Sequence, residues 1–267
     1  MDYIRSKEMM QYQGNKVVCT VCGSSFNSFA PVYAGLRPSN QNKVATEKNT
    51  NTNELKSVVI NDTSRCPNCG SLERHRLLWE YLHKKTSLFD SQKKLLLEFA
   101  PVDIFFDLFS SKLQISYFPC DIKPGHPKYY KVTDKIIQAD ITKLQFSDNF
   151  FDVVLCSHVL EHVIDDRKAM SEMYRVMKKG AWAIIQVPLD HSREFTYEDF
   201  SITSFEGREQ AFGLGDHVRI YGKDLTKRLA SAGFKVTEVD YVSTFSREEI
   251  TRYGFDPYEI LYLCEKV

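Results

Sequence analysis

Four cysteines stand in two C-x-x-C-G pairs, Cys19-Thr20-Val21-Cys22-Gly23 and Cys66-Pro67-Asn68-Cys69-Gly70. Each pair puts two thiols on one tight turn, and the glycine after it allows the close backbone approach that a tetrahedral four-sulfur site needs. Cys19, Cys22, Cys66 and Cys69 are therefore read as ligands of one structural zinc ion. Closed four-thiolate sites fold a segment and leave no open position for chemistry. The other three of the seven cysteines, Cys120, Cys156 and Cys264, lie in apolar stretches. The first residues, Met1-Asp2-Tyr3-Ile4-Arg5, contain no apolar signal core. Metal binding plus buried thiols, in a reducing cytoplasm, is the expectation.

A second group of reactive types is His158-Val159-Leu160-Glu161-His162. The literal string H-x-x-E-H is an inverted zinc-protease motif, but here it directly follows an apolar strand, where that motif has no place. Three readings stay open. His158, Glu161 and His162, at i, i+3 and i+4 of a helix, could hold a divalent ion. One histidine could act as general base near neutral pH. Glu161 and His162 could only buttress their loop. Further on, His217 and Arg219 could hold or deprotonate a substrate. The candidate catalytic residues are His158, His162 and His217.

These residues must be positioned by a 267-residue chain that balances 35 basic against 35 acidic side chains. Such neutrality gives no general pull towards nucleic acid or an anionic membrane. No apolar run reaches the roughly 18 residues that a membrane span needs. A local basic group at Arg65, Arg74, His75 and Arg76 is either a phosphate contact or a solvated helix face. Residues 1–75 are expected to form the cysteine module, with a mobile polar insertion near 37–56. Residues 76–267 form the main domain.

From Ser71 the pattern turns helical, and then strands and helices alternate. Strands are expected at Lys94–Phe99, Gln114–Cys120, Ile136–Ala139, Phe151–Cys156, Ala181–Val187, Phe234–Val239 and Ile260–Cys264. Helices are expected at Val102–Phe109, from Asp165 to a stop at Gly180, and at Gly222–Ala232. This alternation gives an α/β fold with a Rossmann-like, doubly wound, mostly parallel seven-stranded sheet behind a small N-terminal zinc ribbon. Its ligand crevice lies beyond the strand C-termini. Glu98, Asp121 and Asp140 close successive strands there, and Asp121 follows Glu98 at the roughly 20-residue spacing of ribose-binding acids. The aromatic and charged connection 189–219 is placed to cover a substrate.

The stretches Gln138–Ile141, Phe151–Val163 and Glu172–Gly180 closely resemble class I S-adenosylmethionine (SAM)-dependent methyltransferases. Asp216-His217-Val218-Arg219-Ile220-Tyr221-Gly222 looks like a subgroup that also carries a cysteine ribbon in front. The resemblance covers about Lys94 to the C-terminus. It implies SAM as cofactor, bound by Glu98, Ala100, Pro101, Asp121, Ile122, Asp140, Ile141, Ser157 and His158. It departs in one place. The family's E/D-x-G-x-G loop is here Glu98-Phe99-Ala100-Pro101-Val102, and no glycine occurs between Gly70 and Gly125. The function implied is O-methylation of a small molecule or glycan acceptor. The alternatives are an RNA or protein methyltransferase that docks its substrate through the ribbon, or a binding module with a degenerate crevice.

Overall fold

A computed structural model describes residues 9–31, 44–48, 55–59, 64–124 and 134–267. The chain falls into two compact units, one of Met1–Lys84 with Val242–Glu259, the other of Lys85–Tyr241 with Ile260–Val267. None of the described helices is long and apolar enough to cross a membrane.

In the first unit, β1 (Gln13–Val18) pairs antiparallel with β2 (Ser25–Phe26), and the first cysteine pair forms the turn between them. β3 (Val44–Lys48) and β4 (Leu55–Val59) also pair antiparallel. The expected structureless insertion near 37–56 therefore contains part of a strand pair, in which β-branched Val44, Thr46, Val58 and Val59 favour extended backbone. The rest of that insertion lies outside the described residues. Helix α1 (Glu73–Lys85) buries Leu77, Leu78 and Leu82. Arg76, on the same helix, is fully buried and not a phosphate contact. Its guanidinium donates to the carbonyls of Ser64, Ser71, Tyr253 and Gly254 at 2.6–3.0 Å and lies 3.9 Å from the centre of the Phe29 ring. Gly254 has φ +60°, and a Cβ there would come within 2.3 Å of Phe29. These contacts gather 242–259 with the cysteine module, so the first unit does not end at residue 75. The sequence shows no periodic signal for a bond 177 residues long.

The second unit is built on β5 (Lys94–Phe99), α2 (Asp103–Ser110), β6 (Ile115–Asp121), β7 (Ile137–Gln138), β8 (Phe151–Ser157), α3 (Asp166–Val176) and β9 (Met177–Gln186). Then come β10 (Tyr197–Glu198), α4 (Phe205–Phe212), β11 (Arg219–Ile220), α5 (Leu225–Ser231), β12 (Lys235–Val239) and β13 (Leu261–Glu265). The seven-stranded sheet has the order β12-β13-β9-β8-β5-β6-β7. Its strands are parallel except β13, which runs antiparallel to β9 and β12. This is the Rossmann-like, mostly parallel sheet that the alternating pattern implies. The core includes the fully buried Val153–Cys156 of β8 and the inner face of α3, Ala169, Met170, Met173 and Val176.

Asp165 caps α3 as expected, its side chain accepting from the Lys168 amide. The helix end differs from expectation. α3 stops at Val176, and β9 begins at once, carrying Lys178 and Lys179 within the strand. Gly180, with φ +80°, does not stop a helix; its amide donates to the Lys266 carbonyl. Pairing with β8 and β13 overrides the local helix signal there.

The chain leaves β5 outward through β6 and β7, then returns to β8 on the other side of β5. That reversal opens a crevice beyond Phe99 and Ser157. The loop after β8 is held by a buried ion network. Arg219, 1% exposed, donates to the carbonyls of Leu160 (2.8 Å), Ile164 (2.8 Å) and Val163, and to Glu198 at 2.9 Å. Arg228 bonds Asp166 and Glu198 at 3.1 Å, and the Tyr221 hydroxyl donates to Asp166 at 2.8 Å. Arg219 is thus a positioning residue and not one that holds a substrate. Replacing it with Met removes its bonds to three carbonyls and leaves Glu198 to Arg228 alone, so R219M is expected to cost about 3–5 kcal/mol in urea unfolding.

Candidate functional site

Both strands at the crevice end in a non-glycine residue with left-handed backbone. Ala100 has φ +49° and His158 φ +54°. Each is pinned from its amide, Ala100 to the Cys120 carbonyl at 2.8 Å and His158 to the Gln186 carbonyl at 2.9 Å. For L-residues this conformation costs about 1–2 kcal/mol. Strain held in this way concentrates at functional sites. Ala100 thus takes the backbone path that a glycine would take, and its methyl group is the one addition. Pro101 is buried and precedes Val102, the N-cap of α2, so it lies just outside the helix.

The strand-end acids have different surroundings. Glu98 is buried and accepts a hydrogen bond from the Tyr117 hydroxyl. Burial pushes its carboxyl up to about 8, although the tyrosine hydrogen bond pulls the other way. Asp121 is half-buried at the end of β6 and accepts from the Lys123 amide at 2.6 Å, beside Ile122, which is 59% exposed. Asp140 is exposed and accepts from the amide and hydroxyl of Thr142 at 2.8 and 2.7 Å, beside buried Ile141. The Ser157 hydroxyl donates to Gln186 Oε1 at 3.0 Å. Glu98, Ala100, Asp121, Ser157 and His158 therefore stand at the C-terminal ends of three adjacent strands, and Asp140 and Ile141 follow the neighbouring β7.

The histidines form a cluster the helical spacing does not describe. Leu160–His162 is one 3₁₀ turn, and His158 precedes it. His158, Glu161 and His162 therefore do not share an α-helical face. His217 comes in from the other side. Ligand atoms of Glu161, His162 and His217 lie within 4.8 Å of one another, and the two rings meet edge to face at 4.7 Å. His158 Nδ1 is 3.4 Å from Glu161 Oε1. Burial pushes the Glu161 carboxyl up, but His158 and His162 beside it bring it below its ordinary value. Burial lowers His217, against the opposing pull of Glu161, so its imidazole is neutral at neutral pH. The two halves are tied by the Val218 amide on the Glu161 carbonyl (2.9 Å) and by His162 Nδ1, 3.2 Å from the Asp216 carbonyl. His217 stands 55 positions after His162, so nothing local reveals their contact.

In the first unit the four cysteine sulfurs lie within 4.8 Å of one another, with Cys19–Cys69 and Cys22–Cys66 both at 3.7 Å. Four sulfurs about 2.3 Å from a zinc ion would be about 3.8 Å apart, so the set fits that ion. Gly23 and Gly70, at φ +72° and +73°, close the two turns, donating to the Cys19 and Cys66 carbonyls. Cys120, Cys156 and Cys264 are buried, and burial pushes the Cys120 thiol up to about 12.

Two outcomes are expected. The buried Glu98 carboxyl binds its proton more tightly folded than unfolded, so stability is greatest below the unfolded value near 4.5 and falls as pH rises towards 8. The loss is about 1.4 kcal/mol per pH unit in that window. Thermal melts from pH 5 to 8.5 should show this slope and E98Q should flatten it. Chelation should remove the zinc and unfold the cysteine module while the seven-stranded sheet keeps its own melting transition, as followed by circular dichroism and metal analysis.

Residues 108–185 match the methyltransferase domain family. An uncharacterized protein of Methanocaldococcus jannaschii is 40% identical over 84 residues, 31% of this chain and 37% of that protein. The ubiquinone/menaquinone biosynthesis C-methyltransferase UbiE of Idiomarina loihiensis is 41% identical over 120 residues, 40% of this chain and 47% of the enzyme. The chain thus spans less than half the length of these curated relatives. A SAM-dependent methyltransferase of Archaeoglobus fulgidus superposes with a TM-score of 0.48 at 18% identity, over 71% of this chain and 93% of that one. Residues 108–185, from the end of α2 through most of β9, thus resemble the methyltransferase domain family, and the sheet around them has the Rossmann-like strand order.

Proposed function

We propose that the chain transfers a methyl group from SAM to a hydroxyl oxygen of a small molecule or glycan. The observation that carries this reading is the pair of strained turns at the crevice, Ala100 and His158, with the buried His217 among the groups that follow. A cofactor fits this edge on the structure's own terms. The left-handed turn at Ala100 brings backbone to the strand end as a glycine turn would, and the acids at Asp121 and Asp140 face the same edge.

In this reading Asp121 receives the ribose hydroxyls. Asp140 accepts from the adenine amine, with Ile141 beside the ring. Glu98, neutral at neutral pH, supports the turn through Tyr117. When bound, SAM supplies an electrophilic methyl on a sulfonium, whose carbon–sulfur bond breaks as the carbon–oxygen bond forms. His217 takes the hydroxyl proton, and Glu161 holds the resulting imidazolium. Ser157, His158 and His162 orient the acceptor. The connection 189–219 covers the acceptor with Phe195, Phe200 and Phe205, which are 74%, 50% and 55% exposed. The zinc at the four cysteines is structural. A second reading, methylation of carbon, is favoured by the C-methyltransferase among the relatives. Here His217 takes the proton from carbon.

Calorimetry with S-adenosylhomocysteine tests the cofactor half. Saturable binding, weakened at least tenfold (about 1.4 kcal/mol) by D121A and retained in A100G, is expected. The absence of both heat and thermal shift at millimolar ligand would sink both readings. Nuclear magnetic resonance of products from phenolic and sugar acceptors then separates them. An O-methyl product supports the first reading, and a C-methyl product replaces it with the second.

A further inference from the structure

Glu161 is 2% exposed, and neither of its carboxylate oxygens has a hydrogen-bond partner among the described residues. A buried carboxylate in that state is costly unless a positive charge faces it. The 3₁₀ turn delivers His162 beside it, with Nε2 4.0 Å from Glu161 Oε1. The other ring nitrogen of His162, Nδ1, lies 3.2 Å from the Asp216 carbonyl and donates to it. That bond selects the tautomer whose Nε2 carries a lone pair towards Glu161. A backbone carbonyl behind one imidazole nitrogen is the usual support of a metal-ligating histidine. His217 closes the group, its ring meeting that of His162 edge to face. Arg219 and the Val218 amide fix the two backbone segments against each other, so the three donors are held from both sides.

We infer that Glu161, His162 and His217 form a second, open metal site for a divalent first-row transition ion of the zinc type. Two imidazoles and one carboxylate are the donor set of such ions, and three protein ligands leave a position for an oxygen ligand. Mg²⁺ and Ca²⁺ are disfavoured by the two nitrogen donors. The donors span up to 4.8 Å, wider than the roughly 3.4 Å edge of a tetrahedron with ligands near 2.1 Å, so binding draws the group together. His162, the half-exposed member, has the freedom to move. His158 sits on the opposite side of the carboxylate, with Nδ1 3.4 Å from Oε1, and orients it without joining the donor triangle. With the ion bound His217 is a ligand and no longer the base; the oxygen ligand is water or a substrate hydroxyl, whose proton the ion makes easier to lose in place of that base. This last assignment alone rests on the O-methylation reading, and the ion's own binding does not.

The test is metal content and Co²⁺ titration of the full-length protein, after zinc loading and removal of excess ion. The wild type should hold one equivalent more than H162N or H217Q. In a separate metal-free preparation given one equivalent of zinc for the four cysteines, Co²⁺ should bind the wild type saturably and the variants at least tenfold more weakly, with the wild-type circular dichroism spectrum kept. If H217Q fails to fold, H162N carries the comparison, because its imidazole is partly in solvent. Equal metal content and equal Co²⁺ binding in the wild type and H162N would overturn the site. A parallel titration with S-adenosylhomocysteine separates this proposal from the cofactor reading. Loss of ion binding with nucleoside binding intact sinks only the metal site, and the converse sinks only the methyltransferase reading.

Discussion

Arg219 holds the functional edge of this protein in place. Its guanidinium is withdrawn from water and spends its donors on the carbonyls of Leu160, Val163 and Ile164 and on the carboxylate of Glu198. A charge buried so deeply is tolerable only when every face of it is met. Asp166, Glu198, Arg228 and Tyr221 complete that requirement between α3, β10, β11 and α5. The turn after β8, where the histidines and Glu161 sit, inherits its shape from this network. Weakening the network would spread those donors, even with every one of them still present.

The crevice itself is set by the order of strands. Because β8 returns beside β5, the ends of the two strands meet, and both turn sharply through left-handed residues. A methyl at Ala100 and an imidazole at His158 are unusual in that conformation. Each is held by its amide, which donates a hydrogen bond to a carbonyl at the neighbouring strand end, Cys120 or Gln186. The sheet pins these backbones, and the local sequence alone would not choose them. The glycine missing from the first loop is therefore a change in side chain and in strain, and the backbone path is kept.

The first unit follows the same logic with other chemistry. Two cysteine turns supply four sulfurs at the spacing of a zinc tetrahedron, and a small segment with little apolar core gains its order from such a centre. Arg76 then anchors α1 to the returning segment 242–259 by carbonyl bonds and by stacking on Phe29. Both units use a buried arginine to hold chain segments that no hydrophobic pattern links.

Much of this was legible in the residues. The two C-x-x-C-G pairs identify their site because ligand spacing within a turn is a local property. The strands Lys94–Phe99 and Phe151–Cys156 are visible as apolar runs, and the cap at Asp165 as a side chain preceding a periodic segment. Three things depended on the tertiary structure. The end of α3 was decided by pairing with β8 and β13, which outweighs the helix-stopping glycine. The role of Arg219 was decided by burial, which turns a potential substrate contact into a brace. The meeting of Glu161 and His162 with His217 was decided by strand order, because contacts across 55 residues leave no period in the chain. Sequence determined which groups are available and which turns they favour. The sheet determined which of them face one another, since only folding removes the water and the distance between them.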